Sequence, residues 1–299
     1  GTVKAQRKSS WRLCCWLAPC CSRRPLLGRG HGHSQHHAAH SVRPALLRRW
    51  NWREAGYQDV GLPDHQAKID QAIADGFFSQ PDHHVPGLFM SMGNLGSMNA
   101  GHVFGMSSTN CASLSQGMVR GRRLVQEYLR FYQKYYDLPK LQLVTTAAMM
   151  GIRESRRVIC DYRLVLQDFL DEAVFPDEIG RYSYNIDIHA NTVGVDDYEL
   201  FEKEHTTYRY KPGQSYGIPY RTLPVKGFSN LLTAGRSICT DRYMQSSVRV
   251  MPGCYITGQA AGTAAAVCAL GEMDVHQVPV AEVQKKLKKL GAYLPNFQE

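Results

Sequence analysis

Three stretches carry side chains whose type and spacing can do chemistry. In "YSYNIDIH" (Tyr182–His189), Asp187 stands two residues before His189. On a strand that spacing puts carboxylate and imidazole on one face. The carboxylate can then orient the ring and tune its proton affinity, so His189 is the candidate acid/base. A hydrogen-bonded histidine with no chemical role is the competing reading, and Tyr184 is a lesser candidate. In "GIRESRR" (Gly151–Arg157), three guanidinium groups surround Glu154. On a strand Arg153 and Arg157 share one face, and Glu154 and Arg156 the other. One face suits an anionic substrate, with Arg153 as its ligand, and the other an internal Arg–Glu pair. A purely structural ion-pair network is the alternative.

The third stretch is "NLLTAGRSICTDRYMQSSVRVMPGCYITGQAAGTAAA" (Asn230–Ala266). Leu231 and Leu232 suit a buried strand ending at Gly235, where glycine lets a ligand approach the main chain. Arg236 can face a phosphate, and the following loop supplies Ser247, Arg249 and Pro252. A helix is expected to open near Gly258, with the N–H groups of its first turn free for an electron-rich oxygen. Gly258, Ala261, Gly262 and Ala265 then form a smooth face for a flat ring or for a neighbouring backbone. A tightly packed internal helix with no ligand fits the composition equally well. Cys254 can be a thiol with chemistry, but a lone cysteine is more often a small packing residue.

The elements that position these residues can be read in outline. Asp64 is expected to cap a helix through Ala74, with Ile69 and Ile73 one turn apart and Gly76 ending it. "VPGLFMSMGN" and "GHVFGMS" read as two strands joined through a Gly/Asn-rich turn. Residues 113–136 form a long helix with Leu114, Met118, Leu124, Tyr128 and Phe131 on one side. The stretch 141–166 reads as extended, with Val158, Cys160 and Tyr162 alternating. A short helix follows near Gln167–Ala173. "RYSYNIDIH" and "YGIPYRTLPV" read as strands. The last helix carries Val280, Val283, Leu287 and Leu290 as an apolar stripe opposite a lysine face.

Bulk properties narrow the classes. A chain of 299 residues with 43% hydrophobic and 20% charged residues can bury a large core. Its net charge of +9 is concentrated in residues 1–53, which contain no acid before Glu54. The charge therefore does not argue for nucleic-acid binding. No apolar run is long enough to span a bilayer, so no membrane partner is expected. The nine cysteines show no C-x-x-C and no pairing framework, which leaves zinc or iron–sulfur sites without ligands and points to a reducing, cytoplasmic compartment. Residues 1–53 have no helical or strand period and read as disordered or artefactual. The tract "HGHSQHHAAH" holds His31, His33, His36, His37 and His40, which could bind metal weakly.

The Asn230–Ala266 stretch, together with "GIRESRRVICDYRL", "YSYNIDIH" and "YGIPYRTLPVKGFSNLL" in that order, resembles the FAD-dependent oxidoreductase family with a glutathione-reductase-like FAD domain. That family includes the heterodisulfide reductase-like group. The resemblance covers residues 54–299. It implies that Gly235, Arg236, Arg249, Met251, Pro252, Gly258, Gln259, Ala261 and Gly262 line the isoalloxazine and ribityl region of FAD. It also implies that the small-residue helix points its N-terminus at the flavin's pyrimidine oxygen, where negative charge develops on reduction. Some relatives carry an iron–sulfur cluster, which the cysteines here do not support.

The implied fold is α/β (α+β): a mixed-sheet substrate domain at 54–229 and the C-terminal part of a Rossmann-like FAD-binding domain at 230–299. Such flavoproteins open with a strand, a G-x-G-x-x-G turn and a helix that cradle the pyrophosphate. Neither "GRGHGHS" nor "GNLGSMNAG" fits that fingerprint, so the N-terminal dinucleotide-binding half is expected to be missing. The expected function is transfer of a hydride or electron pair between an organic substrate and FAD. A non-enzymatic remnant or binding module of the same fold is the rival, and a metal-binding protein using the histidine tract is the third reading.

Overall fold

The computed structural model describes residues 12–14, 36–37, 64–85, 88–92, 95–98, 101–190 and 192–298. In chain order the elements are β1 (Arg12–Cys14), β2 (His36–His37), α1 (His65–Ala74), β3 (Phe89–Met92), β4 (Leu95–Ser97), α2 (Cys111–Tyr135), β5 (Gly151–Ile152), α3 (Leu166–Leu170), β6 (Glu178–Tyr182), α4 (Val195–Thr207), β7 (Tyr216–Pro219), β8 (Leu231–Thr233), α5 (Arg242–Val248), α6 (Met251–Gly271) and α7 (Val280–Lys289). This is a mixed α/β fold with short strands. The chain forms two compact units. The α2 unit gathers β2, the described residues between 64 and 155, and the segment 189–203. The α6 unit gathers β1, residues 156–188 and residues 204–298.

The core of the α2 unit is built on the 25-residue helix α2. It buries Gly117, Gly121, Leu124, Val125, Tyr128, Phe131 and Tyr132 against Ile69, Ala72, Phe78 and Val103. Burying each large apolar side chain is worth roughly 1.5–3 kcal/mol. The helix starts two residues before the expected boundary because Asn110 caps it, its side chain accepting from the Ser113 amide at 2.9 Å. Asp64 does occupy the N-cap of α1 but makes no side-chain cap bond. Its backbone is left-handed, at φ 55°, where an N-cap is normally extended. The β-hairpin closes within β3 and β4, Phe89 pairing with Ser97, so "GHVFGMS" is not its second strand. Only Gly151 and Ile152 of "GIRESRR" are in a strand, paired with β2, so the alternation of faces expected for the arginines does not apply.

The core of the α6 unit gathers Leu164, Ile179, Ile186, Tyr216, Ile218, Leu232, Met244 and the buried faces of α6 and α7. Strands β6 and β7 pair antiparallel, with Tyr182 opposite Tyr216. Strand β8 takes β1 as a parallel neighbour, Arg12 opposite Leu231 and Cys14 opposite Thr233. The N-terminal segment, expected to lack strands, therefore supplies two, β1 here and β2 beside β5. Main-chain pairing needs no side-chain period, so the pattern could not reveal them. The other residues of the histidine tract lie outside the described residues, apart from the backbone of β2. Helix α7 buries Val283 and Leu287, while Leu290, at its C-cap, is 63% exposed. Residues 183–190 form no ladder strand. They are held by separate bonds, such as Ile186 N–H to Tyr208 O and Tyr210 N–H to Asn185 Oδ1.

One loop clasp carries a pH dependence. His276 Nδ1 lies 2.6 Å from Asp161 Oδ2, and Nε2 lies 3.0 Å from the Phe228 carbonyl. Both partners only accept, so both ring nitrogens donate and the ring is held as imidazolium. Burial opposes that charge, but the Asp161 carboxylate and the Phe228 carbonyl outweigh it and raise the histidine's pKa. A raised folded-state pKa stabilises the fold below the ordinary histidine value, and that contribution is lost as pH rises through the raised one. The melting temperature of the wild type should therefore fall across that window relative to His276→Gln. Parallel melting curves for the two proteins would sink the assignment.

Candidate functional site

In the α6 unit, strand β8 runs through Ala234 into Gly235, whose φ of 69° is the left-handed conformation that favours glycine. The Gly235 amide donates to Thr257 Oγ1 at 2.9 Å, which ties this turn to helix α6. Arg236 follows and is exposed. The next stretch, expected as loop, is helix α5, capped by Asp241 Oδ1 on the Met244 amide at 2.8 Å. Helix α5 buries Ser246 and Ser247. Ser246 Oγ accepts from the Asp187 amide at 3.0 Å, and Ser247 Oγ donates to Tyr184 O at 2.5 Å. Arg249 is buried, with Nη2 donating to Asp187 O at 2.6 Å and lying 3.8 Å from the Asp187 carboxylate. The structure thus brings together Asp187 and Arg249, a pair the sequence had placed in separate roles.

Helix α6 begins at Met251, with Pro252 in its first turn. Proline suits that position because its φ is already helical and its missing N–H would be unpaired there anyway. The expected opening near Gly258 is therefore corrected: Gly258 lies more than a turn inside the helix. The helix has two contrasting sides. Ala260, Ala261 and Ala264 are fully buried in the core. On the other side a Cβ added at Gly258 or Gly262 would meet no described atom within 4 Å beyond the helix's own backbone. Met251 and Tyr255, 67% and 68% exposed, lie on that side with the exposed Gln259. Cys254 donates to Arg249 O at 3.2 Å. Burial raises its thiol pKa, only partly countered by Arg236, so it is a packing residue rather than a ready thiolate.

In the α2 unit, buried His189 sits in a chain of polar side chains. Arg153 Nη1 meets His189 Nε2. His189 Nδ1 lies 3.3 Å from His102 Nε2, and His102 Nδ1 lies 2.7 Å from Asp82 Oδ2. The His84 ring packs edge-on to His189 at 5.1 Å. Burial pushes the Asp82 carboxyl up, but His102 and the amides of His84 and His102 outweigh it and hold it below the ordinary carboxylate range. Gly101, at φ 85°, sets the turn into His102, and a Cβ there would lie 2.9 Å from the Tyr128 ring. His189 and Arg153 are brought together, whereas Asp187 spends its contacts on Ser246 and Arg249 in the α6 unit. Asp82 and His102 were missed. The one available signal was the acid followed by two histidines at Asp82–His84, about a hundred residues from His189.

Among the described residues, no group of three or more His, Cys, Asp or Glu is arranged to hold a metal ion. Among them, too, no helix is long and apolar enough to cross a membrane. Neither a curated protein nor a solved structure matches the chain. One family does: the FAD dependent oxidoreductase family matches residues 33–287, starting well before residue 54, where the resemblance had been placed. That match spans both units, and with it the chain belongs to the FAD dependent oxidoreductase family.

Proposed function

We propose that this protein moves a hydride or an electron pair between an anionic organic substrate and FAD. The family is FAD-binding, which supports the cofactor. The observation that carries the reading is the open side of α6. Glycines at 258 and 262 serve no packing need among the described residues, since a Cβ at either meets none of them. Glycine in a helix interior costs about 0.5–1 kcal/mol against alanine. Two such positions on one exposed side suit a flat ring lying against the main chain. In this reading Met251, Pro252, Gly258, Gln259 and Gly262 line the ring, and Gly235 and Arg236 face the ribityl chain or a phosphate. Buried Ala261 and Arg249 back that surface from the core side.

When bound, the flavin supplies the two-electron redox chemistry. The residues of the chain bind, orient and move protons. Arg153 is assigned to the substrate's anionic group and His189 to the proton that accompanies the electron pair. Residues 230–299 are proposed as the cofactor-binding part and 54–229 as the substrate-binding part. The pyrophosphate grip has no assigned residues, because no G-x-G-x-x-G turn is present in the sequence.

The test is titration of the full chain with FAD, followed by flavin fluorescence, for the wild type and Gly262→Val. Valine and glycine have comparable helix costs and the added Cβ meets no described neighbour, so the fold should be unchanged. The dissociation constant should rise at least about tenfold, equivalent to about 1.4 kcal/mol. Equal affinities in two equally folded proteins would remove α6 from the cofactor site.

A further inference from the structure

The α2 unit contains a line of hydrogen-bonding groups whose direction is set at both ends. A guanidinium has only donors, so Arg153 Nη1 must donate to His189 Nε2, which offers its lone pair. The His189 proton then sits on Nδ1 and is given to His102 Nε2 at 3.3 Å. His102 in turn carries its proton on Nδ1 and gives it to Asp82 Oδ2 at 2.7 Å. At the far end Asp82, an ionised carboxylate, only accepts. Its second oxygen takes the His84 amide at 3.0 Å, and the His102 amide adds a bond to Oδ2 at 3.2 Å. The carboxylate is 5% exposed and His102 2% exposed, so water does not compete for these bonds. Any other pair of tautomers would set two donors or two lone pairs against each other somewhere in the line.

We infer that Asp82 and His102 are positioning residues that fix the tautomer and orientation of His189 through a directed relay, Arg153 to His189 to His102 to Asp82. The inference rests on the assignment of His189 as the proton-handling group. It adds two residues that no motif links to it, and it replaces Asp187 as the carboxylate behind the imidazole. The relay has a mechanical consequence. The nitrogen that faces Arg153 is the one bearing the lone pair, so it is the atom that can take a proton. Taking one sets an imidazolium against the guanidinium, and an anionic group between the two cations relieves that repulsion. Proton uptake at His189 and anion capture by Arg153 are thereby coupled through one contact.

The experiment is long-range proton–nitrogen correlation NMR on the full chain labelled with ¹⁵N histidine, at mildly alkaline pH. His189 and His102 should both appear as Nδ1–H tautomers with bare Nε2, the reverse of the form free imidazoles prefer in water. Asp82→Asn replaces an acceptor by a group that can also donate. It should move His102 and, one bond further on, His189 towards tautomer mixtures. Asp82→Glu should retain the wild-type pattern. An Nε2–H signal at either ring in the wild type overturns the relay, as does a His189 signal that ignores Asp82→Asn while His102 responds. If Asp82→Asn does not fold, the wild-type tautomers decide alone. Flavin affinity, measured separately, distinguishes failure of the relay from failure of the cofactor reading.

Discussion

Arg181→Met is expected to destabilise the protein by about 3–5 kcal/mol, the cost of breaking a buried ion pair by removing one partner. The pair is Arg181 Nη1 to Glu178 Oε1 at 2.7 Å, with side-chain exposures of 8% and 2%. Arg181 also donates from Nε to Ser215 Oγ at 2.9 Å, from Nη2 to Ser215 O at 2.5 Å and to Glu172 O at 3.1 Å. Methionine keeps the side chain's length but supplies none of these donors. Glu178 would remain buried with the Phe175 amide at 3.2 Å and the Asn296 amide at 3.3 Å as its weaker partners. The glutamate packs against the main chain at Gly217, where an added Cβ would collide with it. Three carbonyls, of Ser215, Glu172 and Ala173, and the Ser215 hydroxyl would lose donors as well. Denaturant unfolding of wild type, Arg181→Met and the double variant Arg181→Met/Glu178→Gln would check this. The double variant should recover part of the loss, since it removes the stranded charge. A loss under about 1 kcal/mol in the single variant would place the pair in the class of solvated surface bridges.

His189→Gln should slow reduction of the flavin by substrate about 10²–10⁴-fold, the usual worth of a positioned acid/base. The substitution is chosen to spare the fold. Glutamine's amide oxygen can accept from Arg153, and its NH₂ can donate to His102, in the places of Nε2 and Nδ1–H. What it cannot do is take up a proton. The melting temperature should therefore stay close to wild type while the chemical step slows. The measurement is single-turnover absorbance at the flavin band, with the substrate found by screening small anionic organic acids. Normal reduction in a folded His189→Gln protein would take His189 out of the mechanism and leave Arg153 as a binding residue only.

Some of this protein was legible in the sequence because local rules suffice there. Helix α2 shows its apolar side every three or four residues from Leu114 to Phe131, and α7 shows Val283 and Leu287 against its lysines. Strand β8 is a short apolar run closed by a glycine that the left-handed turn requires. The small-residue composition of α6 and the family it points to needed no coordinates either. The start of α6 was misread because Pro252-Gly253 signals a turn as readily as a helix's first turn. The same two residues serve either role, so the residue types alone do not decide between them.

The site residues divide along the same line. The types of Asp187, His189 and Arg153 announce chemistry, but which groups they meet depends on closures between distant positions. A two-residue spacing makes neighbours only on a strand, and residues 183–190 are not one. Asp187 turns out to be held by Ser246 and Arg249, some sixty residues on, and His189 faces His102 across a sequence separation of 87. The sequence alone determined that α1, α2 and α7 form and that the helix after Pro252 stays smooth, because propensity and periodicity act over a few residues; it did not show α4 or α5. The tertiary structure alone decided which carboxylate stands behind the histidine, because a hydrogen bond reads distance in space and carries no trace of separation along the chain.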